Sequence, residues 1–346
     1  MQEMQFASRF PKPEGAGFYR MAQGIPVSSL GIGSYLGAMD DETDRAYTEA
    51  VCAAVRGGIN FIDTSLNYRH QRSERNIGAA LQHLFREGIN RADLIVCTKA
   101  GFLVPNAVPA GLSQDDIAGG MHSMAPAFLF DQCQRSRKNL GLETLDVLYL
   151  HNPEAQLRYV TREIFDDRLR RAFELLENLV AKNQIRFYGA ATWDGFRKPA
   201  GHAEGLSLRK IVELASQAGG KNHHFRFIQL PVNLAMREAF ALKNEQSTAG
   251  LVTTLDAAEW CGITAVASAS LMQARLSRGL PDEVSEHLPG LQTDAQRALQ
   301  FVRSVPGVRV ALCGMSHAAH VTENLRIAAV PAPGRKEFLE MFQPSA

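Results

Sequence analysis

Short apolar runs alternate with longer stretches of helical period eight times along this chain, and that count restricts the fold more than any other feature. The runs lie at 30–34, 60–63, 94–98, 145–151, 185–190, 225–229, 264–267 and 309–313. Helical stretches follow at 42–56, 73–85, 127–140, 165–182, 207–218, 251–261, 294–304 and 319–328. Parallel strands need such crossovers. Eight βα units in a row suit a closed (β/α)8 TIM barrel, whereas doubly wound sheets usually stop at five or six strands. The α/β barrel is expected as one domain over 1–346, with 1–29 as an N-terminal extension and 329–346 as a C-terminal tail. Two longer connections, 101–124 and 236–250, follow strand ends and are expected to act as lids or substrate walls, because every loop leaving that end of a barrel overlooks its mouth.

Charge narrows the partners. Thirty-seven Lys plus Arg against 36 Asp plus Glu leave a net +1, which offers no field for nucleic acid or anionic lipid. The five cysteines are odd in number and far apart, without CxxC spacing, which favours reduced thiols and a cytoplasmic location. No stretch reaches the roughly 20 apolar residues of a membrane span, and the first residues have no signal-peptide core. A small-molecule partner is expected; nothing in the sequence assigns an oligomeric state.

Three consecutive strands end on polar groups. Asp63 closes the second run and Tyr68 follows in its loop, Lys99 closes the third and His151 the fourth. Taken singly, these are a cap, a surface aromatic, a solvated strand end and a core histidine. Together, a carboxylate, a phenol, an ammonium and an imidazole at one rim form a proton-transfer constellation. Phenols ionise near pH 10, so an adjacent Lys99 is expected to lower the pKa of Tyr68, with Asp63 holding Lys99 charged and His151 donating to a substrate oxygen. Carbonyl reduction needs such a proton and also a hydride, which only a cofactor supplies.

The segments NFIDTSLNY, VCTK and LYLH resemble the motifs that carry the Asp, Tyr, Lys and His tetrad of the aldo-keto reductase family, in that order. The likeness continues through SRKNLGLETLDVLYLH, QIRFYGAAT, IQLPVN and CGMSHAAHVTEN, so it spans roughly 30–328. It implies a nicotinamide cofactor, NADP by family habit and NAD as second choice, lying extended across the barrel mouth. Matched cofactor positions are Gly33, Ser34, Tyr35, Asp63, Thr192, Gln229, Ser268, Leu271, Gly314, Ser316, His320, Glu323 and Asn324. The chain departs from the family at Ala191-Thr192, at Val232, where a stacking tyrosine is usual, and at His317 or His320, where a cation facing a 2′-phosphate is usual. Expected substrate walls are Leu66, Phe102, Asn152, Trp193 and the tail PGRKEFLEMFQ, with Asn152 and Glu154 able to accept sugar hydroxyls. The substrate is therefore expected to be a small carbonyl compound or a sugar. An aldose or lactol dehydrogenase working oxidatively is the second reading, and a non-catalytic nicotinamide-binding regulatory subunit of the same fold is a third.

Two rivals fare worse. Gly31 to Gly37 imitates a GxGxxG loop, but the next helix opens on Asp40, Asp41 and Glu42, which would repel a pyrophosphate; the glycines read better as a tight rim turn. A metal-dependent barrel hydrolase would use His317 with His320, or His223 with His224, yet neither pair has a third ligand nearby, so no metal is expected.

Overall fold

The computed structural model describes residues 17–248 and 250–342, so 1–16 of the expected extension and 343–346 of the expected tail lie outside the described residues. Eight parallel strands run in sequence order: β1 (Leu30–Gly33), β2 (Phe61–Asp63), β3 (Ile95–Ala100), β4 (Leu145–His151), β5 (Ile185–Ala191), β6 (Phe225–Pro231), β7 (Thr264–Ser268) and β8 (Val308–Gly314). Cys313 lies opposite Ile32 and Gly314 opposite Gly33, so β8 pairs with β1 and the sheet closes. Helices α1 (Asp41–Arg56), α2 (Arg72–Arg86), α3 (Pro126–Leu140), α4 (Arg162–Ala181), α5 (Leu208–Gly219), α6 (Thr254–Trp260), α7 (Asp294–Ser304) and α8 (Ala318–Leu325) make the outer ring. This is the barrel that the eight alternations predict.

Burial on both faces explains why the strands read as continuous apolar runs. All seven residues of β4, LDVLYLH, are buried. One face fills the barrel with Phe61, Ile95, Val147, Phe227, Val266 and Val310, while the other packs under the helices. Helix starts are set locally. The side chains of Asp40, Thr161 and Ser207 accept from backbone amides of α1, α4 and α5, and Thr293 with Gln296 forms a reciprocal capping box on α7.

Four features differ from the sequence reading. Residues 19–28 are a hairpin, Tyr19–Ala22 against Ile25–Ser28, and not a simple extension. Gln23 (φ 50°) and Gly24 (φ 75°) supply its two-residue turn, and Ala22 and Val27 join the barrel-filling cluster, plugging its lower end. The stretch 251–261 is a strand and then a helix: Gly250–Thr253 pairs with Lys243–Ser247, and α6 starts only where the Thr253 hydroxyl accepts from the Asp256 amide. The connection 236–250 does not border the mouth, because Asn244 donates to the carbonyls of Phe196 and Lys198 while Glu245 accepts from the Leu208 amide at the start of α5. Finally, Gly31 lies within β1, not in a rim turn; a Cβ there would come within 2.7 Å of Leu312 and 2.9 Å of Val310.

Among the described residues, no helix is long and apolar enough to cross a membrane, and no group of three or more His, Cys, Asp or Glu side chains is placed to hold a metal.

The barrel wall leaves least room at Gly189 of β5, where an added Cβ would lie 2.1 Å from the Phe227 carbonyl oxygen of β6. Backbone cannot yield there as a side chain would. Gly189→Ala should cost about 1–3 kcal/mol in equilibrium urea unfolding; a loss below about 0.5 kcal/mol would contradict this packing.

Candidate active site

The barrel geometry brings four groups to one rim. Asp63 is the last residue of β2, Lys99 the penultimate residue of β3 and His151 the last of β4, while Tyr68 leans back over them from the loop after β2. The Lys99 ammonium donates to Asp63 Oδ1 at 2.5 Å and to the Thr64 carbonyl at 2.8 Å. Gln229, on the far side of the barrel in β6, donates to Asp63 Oδ2 at 2.8 Å. Lys99 Nζ lies 4.8 Å from the centre of the Tyr68 ring, and that ring meets His151 edge-on at 5.7 Å.

Burial governs the protonation of all four. Desolvation pushes the Asp63 carboxyl above its ordinary pKa despite Lys99 and Gln229. It is also the largest single influence on the Lys99 ammonium, which it opposes, but Asp63 and Tyr68 together outweigh it and hold Lys99 above its usual value. For Tyr68 the outcome corrects the sequence reading. Lys99 does favour the phenolate, yet burial is the larger effect and the phenol ends above its ordinary pKa. Tyr68 therefore keeps its proton at neutral pH. His151 is driven well below its usual range by burial and by the Lys99 charge, so its imidazole is neutral.

The supports of these groups were not legible in the sequence. Beyond Tyr68 the chain makes three successive left-handed residues, Arg69, His70 and Gln71, each costing roughly 1–2 kcal/mol. Arg69 offsets this by donating to the Ala38 carbonyl at 2.7 Å and to Asp44 at 2.6 Å, and Arg72 binds Asp44 at 2.6 Å. The acidic first turn of α1, expected to repel a phosphate, thus anchors the Tyr68 loop. His151 is pinned through its backbone. His122 Nε2 donates to the His151 carbonyl at 2.8 Å, Gln156 donates to His122 Nδ1 at 3.0 Å, and Arg168 donates to Gln156 at 2.8 Å. Burial drives the His122 pKa down to about 4, so it stays neutral in this chain of bonds. His122 opens a two-residue strand, His122–Ser123, that pairs with Ile117–Ala118 inside the 101–124 connection, too short to show a periodicity that would mark it in advance.

A cavity of about 430 Å³ opens above the tetrad, within the usual range for small-molecule sites. Its wall includes Asp63, Tyr68 and His151, while Lys99 is buried behind them. Of the expected cofactor positions, Gly33, Ser34, Tyr35, Thr192, Gln229, Ser268, Leu271 and Gly314 line it; Phe102, Asn152 and Trp193 line it from the expected substrate side. Ser316, His320, Glu323 and Asn324 do not. Glu323 accepts from Thr293, Asn324 is buried and donates to Cys313 Sγ, and the His320 ring meets that of His317 at 5.5 Å. Leu66 is not a wall either, being buried against Val104 and Ala107 beneath the 101–124 connection. That connection reaches the cavity through Phe102, whose ring stands edge-on to His151 at 5.0 Å. Glu154 is turned away and accepts from the amides of Trp193, Asp194 and Gly195, the role of a loop cap. The described part of the tail, up to Phe342, does not line the cavity: Phe338 and Phe342 pack against Phe240 and Phe301.

The Asp63–Lys99 pair is almost wholly buried, so removing one partner strands the other. Asp63→Asn should destabilise the fold by about 3–5 kcal/mol, and adding Lys99→Met should recover part of that loss. Denaturant unfolding of the wild type, both single variants and the double variant checks it; strictly additive losses would contradict a coupled pair.

With this geometry in place, comparison with known proteins is consistent in kind. The model of the Aldo/keto reductase family matches residues 29–198. The chain is 26% identical over 337 residues to a D-threo-aldose 1-dehydrogenase of a Pseudomonas species, covering 90% of this chain and 92% of that protein. It is 23% identical over 321 residues to a probable voltage-gated potassium channel subunit beta of Arabidopsis thaliana, covering 89% of each. In structure it resembles an aldo/keto reductase from Klebsiella pneumoniae solved with NADP and acetate, with a TM-score of 0.65 at 21% identity over 96% of this chain and 94% of that one. The matched segment builds β1 to β5 and carries Asp63, Tyr68, Lys99 and His151, so the part of the chain that supplies these four groups is similar to the aldo/keto reductase family.

Proposed function

We propose that the protein is a nicotinamide-dependent oxidoreductase that interconverts a small carbonyl compound and its alcohol, with Tyr68 handling the proton. The observation that carries this reading is the placement of one buried ammonium, Lys99, between Asp63 and the ring of Tyr68 at the floor of a cavity. An ion pair with no reaction to serve would be a costly way to fill a barrel end.

The cavity suits a nicotinamide cofactor. The hydroxyls of Thr192 and Ser270 are buried in its wall without a protein partner, a cost that a polar ligand would remove. Gly33 and Gly314 leave the rim open between β1 and β8. When bound, the cofactor supplies or accepts the hydride. NADP is the expected form, as in the Klebsiella pneumoniae structure, with NAD as the alternative.

The chain's own groups do the rest. In reduction, negative charge grows on the substrate oxygen, and Tyr68, which burial keeps protonated, gives up its proton to it. Lys99 then stabilises the phenolate left behind, and Asp63 with Gln229 fixes Lys99 in place. His151, uncharged, supplies a hydrogen-bonding edge that orients the substrate against Tyr68. Phe102 and Trp193 give the cavity an apolar side, and Asn152 a polar one.

Oxidation of a sugar at its lactol carbon uses the same groups in reverse, and the likeness to a D-threo-aldose 1-dehydrogenase favours that direction as the second reading. The likeness to channel beta subunits supports a third, cofactor binding without turnover. Titration with NADPH and NADH, followed by assays of aldehydes reductively and aldoses oxidatively, separates the three. Cofactor binding with no turnover on any of them would favour the subunit.

Tyr68→Phe removes only the proton, so turnover should fall by about 10² or more while cofactor affinity stays near wild type. Lys99→Met should be comparably slow, whereas Cys97→Ser, whose buried thiol is held well above its usual pKa, should be mild. Steady-state kinetics beside fluorescence titration checks this. Wild-type turnover in Tyr68→Phe would take Tyr68 out of the reaction.

A further inference from the structure

A second cavity, of about 460 Å³, lies between the starts of α4 and α5 and shares no lining residue with the first. Its floor is apolar, made by the buried side chains of Phe165, Leu169, Leu206, Ile211 and Leu214. Its rim is charged. Arg162 opens α4, Asp166 stands one turn further along the same helix, and Lys210 lies in the first turn of α5. The proposed hydride transfer uses none of them.

These charges are oddly placed for a purely structural role. Helix N-termini disfavour cations, yet α4 begins on Arg162 and the first turn of α5 holds Lys210. Glu245, which accepts from the Leu208 amide, offsets part of this from outside the cavity. Arg162 donates to the carbonyls of Ala203 and Gly205, both at 2.8 Å, which draws that loop over the cavity and keeps the guanidinium beside it. Lys210 donates to Glu213 at 2.9 Å, an exposed pair that contributes little. The Asp166 carboxyl makes no hydrogen bond among the described residues. Burial lifts its pKa, helped by Glu163 and Glu213, against the pull of Arg162 and Lys210. Two cations and an unpartnered carboxyl thus ring an apolar floor, and the ligand that matches all of them carries both charges on a short apolar body.

We propose that this cavity is a second ligand site that takes an apolar α-amino acid, its carboxylate toward Arg162 and Lys210, its ammonium on Asp166 and its side chain on Phe165, Leu169 and Ile211. The size of the cavity falls within the usual range for small-molecule sites. Charge-assisted hydrogen bonds at both ends supply the selectivity, and the buried floor supplies apolar contact. The site does not depend on the oxidoreductase reading, and its test needs no turnover.

Isothermal titration calorimetry of the whole protein with L-leucine reads the site directly. Saturable one-to-one binding with a Kd below about 1 mM is expected. Isocaproate, which lacks the ammonium, and isoamylamine, which lacks the carboxylate, should each bind about tenfold more weakly or worse. Asp166→Asn has no hydrogen bond to lose, so the fold should stand; leucine should weaken about tenfold or more in it, while isocaproate should not weaken. Lys210→Gln should weaken leucine and isocaproate together, and thermal unfolding checks that both variants stay folded. No binding of leucine up to about 10 mM would overturn the site. Equal affinity of wild type and Asp166→Asn for leucine would place the binding elsewhere and overturn it as well. Isocaproate held as tightly as leucine in the wild type would overturn the choice of an amino acid.

Discussion

The buried Asp63–Lys99 ion pair is the constraint around which this barrel mouth is arranged. Two charges taken out of water must be closely matched, and here each is. Lys99 spends its donors on Asp63 and the Thr64 carbonyl, while the second oxygen of Asp63 is satisfied by Gln229 from across the barrel. The strand order makes this affordable, since β2 and β3 are neighbours in register and β6 reaches in from the opposite wall. Tyr68 and His151 take their protonation from that pair and from burial.

Around the pair, rigidity comes from side chains held by several polar partners at once. The left-handed turn after Tyr68 is held by Arg69 and Arg72 on Asp44, and the His151 carbonyl by His122, Gln156 and Arg168. In each support one member is distant in sequence from what it holds, Asp44 from the Tyr68 loop and His122 from His151. They hold Tyr68 and His151 in fixed positions, as the proposed proton transfer requires.

This division explains what the sequence did and did not reveal. Strand ends are legible because a βα repeat has a fixed direction, so a polar residue closing an apolar run falls on the mouth; that placed Asp63, Lys99 and His151. The plug hairpin was hidden because Tyr19–Ala22 and Ile25–Ser28 mix polar and apolar residues and show no clean alternation, leaving only Gln23-Gly24 as a turn signal. His122 was hidden for another reason, since its partners, the His151 carbonyl and Gln156, are brought to it only by tertiary folding. The sign of the Tyr68 shift was missed because a neighbouring cation is visible in sequence and the depth of burial is not. Leu66 and Glu154 followed the same rule, as residues beside a site that face away from it.

The central claim is that hydride passes at this cavity while Tyr68 exchanges the proton. The most direct measurement is mass spectrometry of the alcohol formed from an aldehyde in the presence of NADPH carrying deuterium at the transferable C4 position. The account predicts one deuterium on the new carbinol carbon in the wild type. Product alcohol free of deuterium, or bound NADPH that never loses its label to any carbonyl compound offered, would contradict it.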